Sequence, residues 1–288
     1  MMVRLSHDVD GCGCLRCQEV DAEVRRRSLA GALSWSCALP LARPSILLIL
    51  AVVGLIQVLA LVVPATVSMG LVFASVLGVF VGRGYLGVVG RERLATRSPG
   101  PITALAVVFR RLPAFIGAVT AVIATLAIAG FAVVTLLPRA LTWAGDVTGV
   151  DPVFVDLATL FVLAVFVVYV LLKCCFVPEA CFIGGYGPLA SIRVSWTITS
   201  LHTTKAALIL AGFVGLLAVG VALDTQFAGS STPVALSFEL GETTVVLRSF
   251  GLSVGSGFRF TFDLLVTALY SGVFVHQYVA SAVASHPS

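Results

Sequence analysis

Long apolar runs alternate with short polar connections along this chain, and each run has the length of a membrane-spanning helix. About 20 helical residues cross the ~30 Å hydrocarbon core of a bilayer. The runs must be helical, because backbone groups in lipid need hydrogen-bond partners within their own segment. Prolines begin or end several runs, which suits a first turn or a helix end. We predict about six spans, at residues 44–63, 66–89, 113–137, 153–177, 204–223 and 258–283.

Short stretches with apolar residues near helical spacing precede three of these spans. Ser34-Trp35 stands before the first span and Ser195-Trp196 before the fifth, and residues 100–112 carry a similar pattern before the third. Such stretches predict interfacial helices, with aromatic rings at headgroup depth and arginines facing water and phosphate. Three units, each an interfacial helix followed by two spans, would account for the whole set.

The connection at residues 228–257 is strand-like. At 234–240 large apolar residues alternate with small or polar ones, and at 243–250 β-branched residues are frequent. Gly241-Glu242 lies between these two stretches. A glycine at the first central position suits a type II′ turn, so we predict a small β-hairpin on the outer face. The predicted fold is an all-α polytopic membrane protein with short interfacial helices and this hairpin.

The composition agrees with a membrane-embedded chain. Of the 288 residues, 59% are apolar and 11% are charged, and the mean hydropathy is +1.07. Soluble domains carry about a quarter charged residues and disordered chains need the opposite balance, so both classes are excluded. We divide the chain into a flexible cytoplasmic tail at 1–27, a six-helix membrane domain at 28–284 and a C-terminal tail at 285–288.

Arginine is distributed unevenly between the connections, and this bias predicts the orientation. Arginines are frequent before the first span and between the second and third spans, whereas residues 138–152 and 224–257 carry one each. Short loops rich in Arg and Lys stay in the cytoplasm. We therefore predict a multi-pass plasma-membrane protein with both termini in the cytoplasm, with membrane lipids as partners and without nucleic-acid binding. The residues predicted to lie at lipid headgroups or in the interface are Arg25, Arg26, Arg27, Trp35, Arg110, Arg111, Arg193 and Trp196.

Two motifs carry a resemblance to known proteins. Phe176 to Trp196 reads FVPEACFIGGYGPLASIRVSW, and residues 32–48 read ALSWSCALPLARPSILL. Over roughly residues 28–284 the chain resembles the membrane domain found in front of some glycerophosphodiester phosphodiesterases, and still more the related uncharacterised six-span integral membrane proteins of archaea. The resemblance implies a six-helix membrane domain. It does not imply phosphodiesterase activity, because the soluble catalytic barrel of those enzymes has no room here.

The N-terminal tail contains a candidate metal site. Cys14 and Cys17 have the Cys-x-x-Cys spacing that can place two thiolates on one zinc ion, and Cys12 or His7 could complete a tetrahedral set. A flexible tail without metal is the alternative, since a second Cys-x-x-Cys pair is missing. We expect no other cofactor.

Charged groups inside spans are candidate functional residues, because a charge at the centre of a bilayer costs at least about 2.5–3.5 kcal/mol. Arg83 and Lys173 lie near the cytoplasmic ends of their spans, so we expect both to reach the interface by snorkelling. Lys173 and Glu179 could also pair across the inner boundary.

A polar path through the membrane is a further hypothesis for three residues. These are Asp156, Asp263 and His276. The alternative for His276 is a hydrogen bond between helices.

Enzyme signatures are missing from the sequence. It contains no His-Glu-x-x-His, no P-loop and no Gly-x-Ser-x-Gly. We therefore predict a non-enzymatic integral membrane protein with an accessory or lipid-organising role. The alternative is a small-solute or ion transporter, which would need a continuous polar cavity near the middle of the membrane.

Overall fold

The structure is a computed structural model, and it describes most of the chain. The described residues are 20, 23–63, 65–95, 100–148, 152–227, 233–240, 243–251 and 254–284. Almost all of them are helical, as the long apolar runs predict. Proline stands at or next to the first position of α3, α5, α6, α7 and α8, where its missing N–H costs no helical hydrogen bond. The helices are α1 Glu23–Arg26, α2 Leu29–Ala42, α3 Pro44–Val62, α4 Ala65–Leu94, α5 Pro101–Thr148, α6 Pro152–Cys174, α7 Val177–Phe182, α8 Pro188–Leu201, α9 Thr203–Phe227 and α10 Val254–Ala284.

Five stretches of these helices are long and apolar enough to cross a membrane, and a sixth is added if α2 and α3 count as one bent span. The two helices of that pair meet at 83°, and α3 is the helix predicted as the first span. The set is compatible with a polytopic membrane protein, which confirms the predicted class. The five stretches are Val67–Leu94, Pro101–Arg139, Val153–Phe182, Thr203–Leu223 and Thr261–Ala282.

Two of the three predicted interfacial helices are separate elements, and the third is not. α2 ends at Ala42 and α8 ends at Leu201, and the residues that follow, Arg43 and His202, leave the helical conformation. The helix predicted at 100–112 is wrong as a separate element, because α5 continues through Pro113 as one helix of 48 residues. A proline inside a membrane helix is tolerated where neighbouring groups satisfy the freed carbonyl.

The helices pack in a pattern that follows the three predicted units. Within each unit the two long helices contact each other, as α3 with α4, α5 with α6, and α9 with α10. Between units, α2 packs on α10, α5 packs on α4, and α8 packs on α6. Each unit therefore contacts the second long helix of another unit, and the three units close into a ring.

Two antiparallel strands stand where the sequence predicts a hairpin. β1 Pro233–Leu240 pairs with β2 Thr243–Gly251, and the register shifts between Leu236 and Ser237. The strands contact mainly each other rather than the helices. Residues 241–242, the predicted turn, lie outside the described residues, and the position of the hairpin on an outer face stays a prediction.

The end of the predicted N-terminal tail contacts the bundle. Val20 and Val24 are buried in the same apolar cluster as Phe274 and Tyr278 of α10. Residues 1–19, 21–22 and 285–288 lie outside the described part of the chain.

Candidate functional site

A short buried helix lies where α6 meets α8, and we call residues 175–187 the α7 segment. α6 ends at Cys174, and all six residues of α7 are buried. The segment turns back at Gly185, whose φ of 66° lies in the left-handed region that glycine adopts at low cost. The segment packs against α4, α5, α8 and α10, so any charge within it needs a partner inside the protein.

Glu179 of α7 has such a partner in Arg83 of α4. Arg83 Nη2 donates to Glu179 Oε1 at 3.1 Å and to the carbonyl of Cys175 at 3.3 Å. The Glu179 side chain is 2% exposed and that of Arg83 is 22% exposed. The guanidinium also lies 5.1 Å from the ring centroid of Phe274 on α10, within cation–π range. One arginine therefore connects α4, α7 and α10.

The structure overturns the predicted pairing of Lys173 with Glu179. Lys173 Nζ instead donates to Ser200 Oγ at 2.8 Å and lies over the rings of Trp196 and Tyr169, at 5.4 and 5.7 Å. The guanidinium of Arg83 likewise binds groups inside the protein, and its reach to the membrane interface stays a prediction. The predicted pairing joined two residues that are close in sequence, whereas Arg83 and Glu179 lie 96 positions apart.

Arg111 of α5, predicted at lipid headgroups, also turns inward. Its Nη1 donates to the carbonyls of Phe182 and Ile183, at 2.8 and 3.5 Å. These carbonyls lie at the end of α7, where a helix leaves acceptors unsatisfied and favours a cation. The guanidinium covers Gly185, where a Cβ would lie about 3.0 Å from it.

The other residues predicted at headgroups have different surroundings. Arg26, Arg110 and Arg193 are exposed, and Trp196 is 42% exposed. Arg27 forms an ion pair with Glu23 at 3.7 Å. Trp35 packs between α2 and α10, with its ring 5.9 Å from that of His276, and the side chain of Arg25 lies outside what the structure describes.

The three residues of the predicted polar path are not brought together. Asp156 is exposed on α6. Asp263 and His276 both belong to α10 but are thirteen positions apart, which is about 20 Å along a helix. His276 is buried beside Trp35, but its Nε2 has no hydrogen-bond partner among the described residues, so the alternative of a hydrogen bond between helices stays a prediction.

Two cavities reach Arg83 from different sides. The smaller, which we call the polar cavity, has a volume of about 210 Å³ and is lined by Gln57, Asp263 and Thr267 besides apolar groups. The larger, which we call the lateral cavity, has a volume of about 410 Å³ and is lined mainly by apolar side chains of α5, α6 and α9. Sequence reasoning missed both, although the single Glu within the apolar stretch of α7 is a signal for a buried partner.

The candidate zinc ligands cannot be placed. His7, Cys12, Cys14 and Cys17 lie outside the described residues. Within the described ranges, no three His, Cys, Asp or Glu side chains form a group that could hold a metal ion.

Comparison with protein families, with curated proteins and with solved structures finds no match to this chain.

Proposed function

We propose that this chain is a non-enzymatic integral membrane protein that organises anionic lipids at the end of the bundle where α7 and α8 lie. In this proposal it belongs to the plasma membrane, with that end and both termini in the cytoplasm and the hairpin outside. The resemblance to six-span membrane proteins accords with the architecture, and the exposed surface of the interfacial segments supports the role in lipid binding.

The main support for the proposal is the contrast between the buried face and the exposed face of α8. Ser191, Val194 and Ile198 are completely buried against the bundle, whereas Leu189 is 65% exposed and shares the opposite face with Arg193 and Trp196. In water this exposed apolar surface would be unfavourable. In a membrane interface it suits the helix, because Leu and Trp enter the headgroup region while Arg binds phosphate.

The first turns of α5 repeat this arrangement. Ala104 and Val108 are buried, whereas Ile102, Phe109 and Arg110 are exposed. Both helices thus expose apolar groups next to arginine at the same end of the bundle. A basic residue near an anionic membrane surface contributes about 1 kcal/mol of attraction, so this end would enrich anionic lipids around the protein.

Lipid competition in nanodiscs tests this role. The protein with both Arg110→Gln and Arg193→Gln is reconstituted with equal phosphatidylglycerol and phosphatidylcholine, and bound lipid is counted by native mass spectrometry. We expect the preference for phosphatidylglycerol to fall about fivefold for each arginine replaced, because each replacement removes about 1 kcal/mol of attraction to the anionic lipid. Arg139→Gln is the matched control, since Arg139 is exposed towards the other end of α5. Equal preferences in the double variant and the control would refute the proposal.

The polar cavity favours a second candidate function, a small-solute or ion transporter. Gln57, Asp263 and Thr267 line it together with Arg83, and polar groups of this kind inside a membrane protein mark substrate or ion pathways. Solute or proton flux into sealed liposomes that is lost in Asp263→Asn would support this function. A flux that is unchanged in Asp263→Asn would remove the residue from any pathway.

A further inference from the structure

The lateral cavity opens towards the surface that the proposed function assigns to lipid. Its volume of about 410 Å³ lies within the about 300–1,000 Å³ of small-molecule sites. Ile123 of α5, Leu171 of α6 and Val214 of α9 line the cavity and are also among the exposed apolar residues. Its mouth therefore lies between long apolar helices, where the neighbouring medium is the hydrocarbon of the membrane.

The length of the cavity matches one leaflet. On α5 its lining runs from Phe115 to Leu126, eleven positions that correspond to about 16 Å of helix. This is about half of the ~30 Å hydrocarbon core. Of the described residues that line the cavity, Arg83 alone is charged, and it lies level with the end of α6 because it binds the Cys175 carbonyl.

Water is a poor occupant for such a cavity. A buried water needs about two to four polar partners, and apart from Arg83 the lining offers only the thiols of Cys174 and Cys175 as side-chain polar groups. An empty cavity would leave its lining without dispersion contacts on one side. A hydrocarbon chain restores those contacts. At the polar end, Arg83 lines the cavity with a side chain that is 22% exposed.

We propose that the lateral cavity binds one acyl chain of a glycerophospholipid from the leaflet on the α7 side. The ester oxygens of the lipid face Arg83, and the chain runs along α5 from Phe115 towards Leu126. This inference rests on the proposed membrane function but does not depend on the charge of the headgroup. A lipid bound in this way has a defined position in the cavity, unlike the lipids that merely surround the helices.

Photo-crosslinking with a neutral lipid tests the site separately from the proposed preference for anionic lipids. Phosphatidylcholine with a diazirine near the end of one acyl chain is incorporated into nanodiscs with the wild-type protein, and adducts are mapped by mass spectrometry. We expect labelling concentrated at 119–126 and 210–214, and saturable by excess unlabelled phosphatidylcholine. A diazirine next to the ester should move the labelling to 171–178.

Two tryptophan variants supply the matched comparison. Val122→Trp fills the cavity and should lower the labelling at 210–214 by tenfold or more, whereas Ile128→Trp, at an exposed position on the same helix, should leave it unchanged. Equal labelling in both variants would overturn the proposal. The proposal would also be overturned if labelling of the wild-type protein rose linearly with lipid concentration and spread evenly over the long helices. This second result does not depend on whether Val122→Trp folds. A lost preference for anionic lipids with intact labelling would refute the proposed function alone.

Discussion

The α7 segment and helix α8 follow each other in the chain, yet the charged side chains are buried and paired at the first and exposed on the second. Glu179 is buried and binds Arg83 of another helix, and Arg111 enters the same region to bind the carbonyls at the end of α7. On α8, by contrast, Arg193 is exposed beside Leu189 and Trp196. The difference separates arginines that hold the protein together from arginines that are available to lipid.

Burial of Glu179 explains why the inner charges are paired. An ion removed from water carries a penalty of several kcal/mol, which a partner with good geometry offsets. Arg110 and Arg111 show how local the distinction is. They are adjacent on α5, but a helix turns by about 100° per residue, so one side chain is exposed while the other reaches Phe182.

Removal of the Glu179 carboxylate should have the largest effect. Glu179→Leu leaves the guanidinium of Arg83 without its counter-charge, and breaking a buried pair in this way costs about 3–5 kcal/mol. We expect this loss in the free energy of unfolding, measured by SDS titration in mixed micelles. Glu23→Leu is the control, because Glu23 is 67% exposed in its pair with Arg27 and such pairs contribute about 0–1 kcal/mol.

The double variant Arg83→Met with Glu179→Leu sharpens this result. It removes both charges together, so it should be more stable than Glu179→Leu alone. If the double variant loses as much stability as the two single variants combined, the pair does not act as a unit and the contrast between inner and outer charges fails.

Arg111→Met compared with Arg110→Met should give the next largest effect. Arg111→Met removes the 2.8 Å charge-assisted hydrogen bond to the Phe182 carbonyl at the end of α7, which is worth about 1.5–3 kcal/mol. Arg110 is exposed, and substitutions at exposed positions usually change stability by within about ±0.5 kcal/mol. Both variants are measured by the same SDS titration. Similar losses in the two variants would show that Arg110 is also structural and would remove it from the lipid surface.

The long helices could be predicted from the sequence because each depends on one local property, a run of apolar residues. Predicted and observed ends differ by a few residues for most of them, as with α3, predicted at 44–63 and observed at Pro44–Val62. The exception is α5. Pro113 predicts the start of a span, but proline suits either a first turn or a tolerated interior position, and only packing decides between them.

The ion pair could not be predicted because it depends on distant parts of the chain. In the sequence Arg83 is a charge within a span, but its partner Glu179 lies in a helix of six residues, which is too short for a periodic signal. The nearer residue Lys173 was therefore the obvious partner for Glu179. The same reason hides the lateral cavity, whose walls come from α5, α6 and α9.

Two glycines on α4 extend the comparison to side chains without charge, with the smallest expected effect. A Cβ on Gly84 would lie 2.9 Å from atoms of Phe182 and Val108, whereas a Cβ on Gly70 would meet nothing within 4 Å. Gly84→Ala should therefore destabilise the protein by about 1–3 kcal/mol through overpacking against the end of α7. Gly70→Ala should be neutral or stabilising by up to about 1 kcal/mol, because alanine favours helix. Thermal unfolding in detergent measures both, and a stable Gly84→Ala protein would mean that α7 is not held tightly against α4.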